Sequence, residues 1–592
     1  MLKLQSWLQV RYEDLWDHFS TDPFRFTNAL KIIRGKSGDT KEHVVLTLSK
    51  LRKAGLLATE SDPEDSRKRI YRLKSRAESI AGTISRLSKE DLAAVARSAL
   101  DMVWGAGKPT RQSGDYHAIL GFIFFKLICD RWTVEFKKAM ARGLKEGLKG
   151  KGAEDEAAKP AHHEFDIPRE FHWETLRSEP ARLPQNLSRA LKVLSKRNPS
   201  FRDVFEETGF APFAGNPENS ETTRQLVELL SPHPMDRVSP DLINRVFDMI
   251  LWGNPSLRVW EMEAFTPPEI IPLMVRMLQP EPGESVYDPA LGYGGTLVTA
   301  YQHVLEEKGK AQADKATLFG QEIAPEALAL ARLHLCLNGI RNFRLALGDT
   351  LLSPKFRAGE KMQTFDLVLS HPDWHLKGYG EDVLQKTEFS RERFGYGFTP
   401  SYSADWAWIQ HLMASAEPEG GRVGVVMDAG CLFRGGKERS IRAGMIEKDL
   451  LEAAILLPGR LFFATQARGT ILVFRHRKAK ERQGKVLFID ASREHELLPG
   501  MRGMTRLGPQ HQARIVEAYL GFCDIPGLSR VVSCAEIRDQ GFNLNIAHYV
   551  SPGEKREEID IPKVRKEIKR LDADLEEASR RLESQLDELR YK

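Results

Sequence analysis

From residue 265 to about residue 473 the chain alternates short apolar runs with longer amphipathic ones, and this alternation limits the possible folds more than any other feature. Runs at 285–287, 317–321, 343–347, 365–369, 424–427, 451–456 and 470–474 have the length and composition of strands. The stretches 268–278, 296–304, 325–337 and 404–416 carry apolar residues at helical spacing. Strand followed by helix, repeated, predicts a doubly wound α/β domain with a largely parallel sheet. The first strand runs into S-V-Y-D-P-A-L-G-Y-G-G-T, an acid (Asp288) followed by the glycine turn Gly292, Gly294 and Gly295. Such a turn lets backbone N–H groups approach a ligand closely, although alone it is also an ordinary tight βα connection. In doubly wound sheets the ligand lies beyond the carboxyl ends of the strands. Asp288, Glu322, Asp349 and His371 each follow one of the first four strands, so they are expected at that end. One acid after a strand is commonly a helix cap; acids after three successive strands call for a ligand.

A chain of 592 residues is too long for one core, and about three or four units are expected. With 41% hydrophobic and 29% charged residues it has the composition of a soluble globular protein. No run of 18 apolar residues occurs and the first residues lack a signal-peptide core, so a cytoplasmic protein without a membrane partner is expected. The five cysteines (Cys129, Cys336, Cys431, Cys523, Cys534) form no CxxC pair, which predicts reduced, mostly buried thiols and neither a metal site nor a disulfide framework. A net charge of +5 permits a nucleic-acid partner without requiring one.

Residues 1–75 read as a separate small domain: helices over 15–30 and 40–57, the second stopped by Gly55, then a polar tip and a strand at 70–73. This layout resembles a winged helix-turn-helix, with Lys50, Arg52 and Lys53 near its recognition helix and Arg67, Lys68 and Arg69 in its wing. A winged helix that binds protein rather than nucleic acid fits the same layout. A helical domain is expected over 85–235. It opens with a capping box at Ser88 and Asp91, continues to Trp104, and contains a dense apolar helix at 116–130. Further helices are expected over 187–204 and 222–250, and the charged, Gly/Ala-rich stretch 143–160 reads as a mobile loop containing no ligand, with His162 and His163 as loop residues beyond it. Residues 240–550 would form the α/β domain. Beyond residue 552, Val564, Ile568, Leu571, Leu575, Ala578, Leu582, Leu586 and Leu589 recur at spacings of three and four, a heptad-like stripe that needs a cover.

Taken together, these motifs resemble the modification (methyltransferase) subunit of type I restriction-modification systems, within the N6-adenine DNA methyltransferases. The resemblance rests on A-F-T-P (264–267), V-Y-D-P-A-L-G-Y-G-G (286–295), L-F-G-Q-E (318–322), L-G-D-T-L (347–351) and F-D-L-V-L-S-H-P-D-W (365–374). It continues through S-A-D-W-A-W-I-Q-H (403–411), I-L-L-P-G-R-L-F-F-A-T (455–465) and F-I-D-A-S (488–492). In the helical region V-W-G-A-G (103–107) and Y-H-A-I-L-G-F-I-F-F-K (116–126) match as well. The fold it implies is a Rossmann-like S-adenosylmethionine-dependent methyltransferase domain with an N-terminal helical domain. The winged helix-turn-helix and the C-terminal helix are added to these.

The resemblance implies S-adenosylmethionine as cofactor. Asp288, Gly292 and Gly294 would line the methionine part and the turn, and Glu322 would accept from the ribose hydroxyls. Asp349 would take the adenine amino group, while Phe265, Thr266 and Pro267 would close over the cofactor. Against the family's commoner D-P-A-C-G-S-G-G, Leu291 and Tyr293 replace small residues. The catalytic signature Asn-Pro-Pro-Phe/Tyr reads here His371-Pro372-Asp373-Trp374. That loop must offer two acceptors to the N6 hydrogens of a flipped adenine and an aromatic face to its ring. Trp374 supplies the face and Pro372 a carbonyl; His371 offers a ring nitrogen when neutral, and Asp373 is a flexible acid in place of a proline.

The implied activity is transfer of methyl to adenine N6 in duplex DNA. The resemblance implies a specificity subunit packed on the C-terminal helix, and allows a second copy of the chain and a restriction subunit as further partners. The altered loop leaves open a catalytically silent DNA-binding or scaffold subunit, and the winged helix leaves open a regulator whose body senses a ligand.

Overall fold

The computed structural model describes residues 11–12, 14–15, 18–19, 22–37, 39–53, 57–62, 65–73, 99, 114–179, 182–201, 204–207, 210–236, 238, 243–244, 266–462, 465, 467–498, 503–551 and 561–588. They divide into two units, Met1–Ala264 with Asp288–Thr350, and Phe265–Tyr287 with Leu351–Lys592. Up to the first Rossmann strand the main elements are β1 (Phe24–Arg25), α1 (Phe26–Ser37), α2 (Lys41–Lys53), β2 (Leu57–Asp62), β3 (Asp65–Leu73), α3 (Gly114–Lys145), α4 (Lys151–Ala157), α5 (Leu183–Arg197), α6 (Ser220–Leu230) and α7 (Ile270–Leu278). Next come β4 (Ser285–Asp288), α8 (Gly295–Lys308), β5 (Thr317–Glu322), α9 (Pro325–Leu337), β6 (Phe343–Leu347), β7 (Leu367–Ser370), α10 (Asp405–Ala414) and β8 (Arg422–Asp428). The chain ends with α11 (Gly436–Glu447), β9 (Leu451–Leu456), β10 (Gly469–Arg475), β11 (Lys485–Asp490), α12 (Pro509–Gly521), β12 (Ser529–Ser533) and α13 (Ile561–Glu588).

In the first unit β1, β3 and β2 form an antiparallel sheet in that order. With α1 and α2 they enclose their own core of Leu15, Phe24, Ala29, Ile33, Val44, Leu48, Leu51, Leu57 and Leu73. Helix was expected to reach Leu57; instead Leu57 pairs with Leu73 across the ladder, and both side chains are buried. The predicted helix over 88–104 lies outside the described residues apart from Ala99, as does the V-W-G-A-G stretch. Gly55 and the side chains of Arg67 and Lys68 lie outside them too.

Helix α3 is buried on all sides from Ala118 to Cys129 because aromatic side chains surround it there: Phe122 packs 4.7 Å from Phe210 and Phe124 5.0 Å from Phe201. The stretch 143–160, expected to be a mobile loop, is largely ordered: α3 runs on to Lys145 and α4 follows. Its charges occupy one face, while Ala153 and Ala157, one turn apart, are fully buried on the other. The helix expected over 187–204 breaks after Arg197, where Asn198 is extended ahead of Pro199. Strands β5 and β6 pair in parallel from Leu318↔Phe343 to Glu322↔Leu347. Between them α9 is buried on nearly every side, and it agrees with its predicted bounds at both ends.

In the second unit the strand order is β12-β11-β9-β10-β8-β7-β4. The pairs β4/β7, β7/β8 and β9/β11 are parallel, while β8/β10, β9/β10 and β11/β12 are antiparallel. The sheet is therefore mixed rather than largely parallel. Strand β10 accounts for two of these three antiparallel pairs: it follows β9 without an intervening described helix and folds back between β8 and β9. Strands β8 and β9 are buried along their whole length, as central strands covered on both faces must be. By contrast, residues 565–585 of α13 are exposed throughout. Among the described residues no helix is long and apolar enough to cross a membrane.

Candidate active site

In the first unit the glycine turn follows β4 and is held by backbone bonds. The Leu291 N–H donates to the Gln321 carbonyl (3.0 Å) and the Gly294 N–H to the Leu291 carbonyl (3.0 Å). Gly292 and Gly294 have φ of +53° and +78°, a conformation that costs an L-residue with a side chain about 1–2 kcal/mol. A Cβ at Gly292 would meet nothing within 4 Å, whereas one at Gly294 would lie 3.2 Å from Ala331 of α9. Gly294 thus permits close helix packing, and Gly292 leaves open space above the turn. Leu291, the bulky departure from the family pattern, is buried over β5, where a Cβ at Gly320 would come within 2.7 Å of its methyls. The larger residue fits because the strand beneath it has no side chain.

The acids gather at the turn. Asp288 is buried, and its Oδ1 accepts the Ala290 N–H at 3.1 Å. The Glu322 Oε2 accepts from the Gly292 N–H (2.8 Å), and its Oε1 accepts from the N–H groups of Ile323 and Ala324 (both 2.9 Å). Asp349 follows β6, half-buried. His334 of α9 supports the turn from behind, with Nδ1 3.0 Å from the Tyr293 carbonyl and Nε2 2.8 Å from the Asn244 side chain. Burial pushes the His334 pKa down to about 4, so the ring is neutral and donates from Nδ1. Open space over Gly292 and carboxylates at the strand ends fit a ligand rich in hydroxyl and amino groups, as S-adenosylmethionine is.

In the second unit the chain after β7 turns through His371, Pro372, Asp373 and Trp374. Pro372 is buried, His371 and Trp374 are half-buried and Asp373 is exposed. Trp374 is anchored by its Nε1–H, which donates to the Val426 carbonyl of β8 (3.2 Å). Its ring lies 4.8 Å from Phe462, and the His371 ring lies 5.5 Å from Trp374 and 5.7 Å from Phe462. The packing that excludes water from His371 pushes its pKa down to about 4. Thr266 reaches the same ring, its Oγ1 2.6 Å from Nδ1. Pro267 is buried beside it in sequence, while Phe265 lies outside the described residues.

The loop's exit is clamped. His375 has φ +56°, and its N–H donates to Asp405 Oδ1 at 2.9 Å. His375, Asp405 and Asp428 bring potential metal-ligand atoms within 4.8 Å of one another, but Arg434 already supplies a cation there. Its guanidinium bonds Asp428 (2.8 Å), Glu438 (2.7 Å) and Asp405. Burial works against that charge, yet the Glu438 and Asp405 carboxylates hold the guanidinium above its usual range.

The structure therefore assembles Asp288, Gly292, Gly294 and Glu322 around one turn, with Asp349 after the end of β6, and Thr266 with His371–Trp374 around another. Sequence reasoning gave Phe462 no role, although its L-F-F run beyond β9 carried an aromatic signal. It also passed over Asp405 and Arg434, which look like ordinary surface charges until the fold buries them.

The sequence profile of the family described as N-6 DNA Methylase matches residues 239–558, and that of the HsdM N-terminal domain matches residues 94–231. The type I restriction enzyme MjaVII methylase subunit of Methanocaldococcus jannaschii is 32% identical over 587 residues, covering 96% of this chain and 95% of that one. The MjaVIII methylase subunit of the same organism is 31% identical over 571 residues, covering 95% and 94%. Among solved structures, the methyltransferase subunit of a type I restriction-modification system from Streptococcus thermophilus superposes with a TM-score of 0.65 at 21% identity. The match covers 78% of this chain and all 100% of that one, a likeness of fold.

Proposed function

The chain belongs to the N-6 DNA methylase family, as a DNA methyltransferase subunit of the type I restriction kind, and from that premise we propose that it methylates N6 of adenine at specific sites in duplex DNA. Its methyl donor is S-adenosylmethionine, which when bound supplies an electrophilic methyl group on a sulfonium. Glu322 accepts hydrogen bonds from the ribose hydroxyls, Asp349 accepts from the cofactor's adenine amine, and Asp288 with Gly292 and Gly294 shapes the turn along the methionine part. Phe265, Thr266 and Pro267 form the segment that closes over the cofactor. An adenine turned out of the duplex stacks on Trp374, with Phe462 walling the same pocket. His371 and the Pro372 carbonyl accept its two N6 hydrogens, with the exposed Asp373 carboxylate as a further acceptor. Accepting those hydrogens would raise the density of the amine lone pair toward the donated methyl group and would take up the proton that N6 loses on methylation, which then leaves to water.

The observation that carries this reading is the His371 ring packed beside Trp374 and Phe462, where burial lowers its pKa and keeps it neutral. An imidazolium would repel the amine; a neutral ring has a lone pair to offer. All the relatives described above are methylase or methyltransferase subunits, which gives no support to a silent scaffold.

Sequence choice belongs to a specificity subunit held through α13, whose Ile568, Leu571, Leu575 and Leu582 are 52–66% exposed. A second copy and a restriction subunit complete the assembly in the cytoplasm. The N-terminal sheet and helices are a winged helix that directs the complex to DNA. Long-read sequencing of host DNA with and without the gene tests the activity. Methylated adenines in a fixed sequence context should vanish on deletion and return with the wild-type allele. An unchanged methylome would refute the proposal.

A further inference from the structure

The imidazole of His371 differs from the amide it replaces in one chemical respect: which of its two nitrogens accepts depends on where a single proton sits. A neutral ring protonated at Nδ1 offers a lone pair at Nε2; protonated at Nε2, it presents a donor there instead. An adenine amine brings two donors, so one tautomer welcomes it and the other repels it.

Among the described residues Nδ1 makes the only hydrogen bond of this ring, to the hydroxyl of Thr266, 105 positions earlier in the chain. His371 as a residue is partly exposed and no described group bonds Nε2, so that nitrogen is available to a ligand. We propose that Thr266 is a positioning residue that selects the working tautomer of His371: its hydroxyl accepts the Nδ1–H proton and leaves Nε2 as the acceptor for the target amine. The low pKa of the ring agrees with this, since only a neutral imidazole has a tautomer to select. A hydroxyl suits this position because its oxygen can accept the Nδ1–H while its own hydrogen turns elsewhere. The inference rests on the reading of His371–Trp374 as the loop that meets the base, and it adds a second function to a threonine otherwise assigned to cofactor closure.

The test uses the full chain, co-expressed with the subunits encoded beside it, and three readouts. The first is the methylation rate. Thr266→Val, which keeps the shape and removes the hydroxyl, should lower it about 100-fold, the scale of a misplaced catalytic group, and Thr266→Ser should restore most of it. In a His371→Asn background, where no tautomer remains to select, Thr266→Val should cost little. The second is calorimetric binding of S-adenosylmethionine, which separates the two functions of Thr266: Thr266→Val should weaken it far less than it lowers the methylation rate. The third is the 15N signature of His371 in histidine-labelled chain, identified by its loss in His371→Asn. It should report a protonated Nδ1 and a bare Nε2 in wild type, and a mixture in Thr266→Val.

Full activity in Thr266→Val, an equal loss in both backgrounds, a loss of cofactor binding that accounts for the rate, or a wild-type ring protonated at Nε2 would each overturn the inference. A wild-type chain that carries the Nδ1–H signature but methylates no adenine would refute the proposed function and still support the Thr266–His371 arrangement.

Discussion

On the proposed reading His371 stands where the family's amide would, and replacing it by alanine would remove the acceptor without disturbing the carboxylates at the glycine turn. His371→Ala should therefore lower the single-turnover methylation rate about 100- to 1,000-fold, the usual scale for one lost transition-state hydrogen bond, with S-adenosylmethionine binding retained. A loss of cofactor binding of similar size would instead make the residue part of the cradle. Arg434 belongs to the same scale but to stability. It neutralises Asp405, Asp428 and Glu438, of which Asp405 and Glu438 are fully buried. Arg434→Met should cost about 3–5 kcal/mol in urea unfolding, because it leaves buried carboxylates without a counter-charge. Neither residue's setting was legible in the sequence. Thr266 and His371 are 105 positions apart, and nothing in a linear pattern says that a threonine hydroxyl will find an imidazole.

At the scale of elements, the glycine turn and the strand beneath it form one packing unit. A Cβ at Gly320 would meet Leu291 at 2.7 Å, so Gly320→Ala should destabilise the chain by about 1–3 kcal/mol, the usual cost of overpacking. In the double variant with Leu291→Ala the loss should be smaller than the sum of the two single losses, as thermal melts of all three would show. Most elements of the α/β region could be placed beforehand. Its strands are short, apolar and cut off by Gly, Asp or Pro, and β6, β9 and α9 have the bounds their patterns predict. Strand direction was less accessible. Whether β10 runs with or against its neighbours depends on a connection that carries no periodic signal, and the antiparallel insertion appears only with the pairing. In 143–160 composition misled for a related reason: a charged, glycine-rich segment hides a two-residue apolar face, Ala153 and Ala157, that matters once α3 is beside it.

At the scale of the whole chain, stability should depend on acid in a definite direction. His334 and His371 titrate near pH 4 in the folded protein against about 6.5 when unfolded, and burial drives His411 well below its ordinary value. Between those values the unfolded chain binds more protons than the folded one, so stability is complete above about pH 6.5 and falls as pH drops toward 4. The urea midpoint should decline across that window, and replacing both His334 and His371 by glutamine should flatten the decline. Helix α13 is the other global feature. Its 28 residues span about 42 Å at the usual rise, with no described side chain buried. Deleting it should abolish co-purification with the specificity subunit while leaving calorimetric cofactor binding by the remaining chain intact.

That wet apolar stripe has a consequence for supply. If α13 is held by a partner as proposed, each copy made ahead of that partner carries Ile568, Leu571, Leu575 and Leu582 in water, an invitation to proteases and to pairing with other orphans. A cell that produced this chain in excess would lose the surplus to degradation or aggregation. The quantity of finished complex is then set by whichever subunit is scarcer, and a matched rate of synthesis becomes a requirement written into the last helix of the protein.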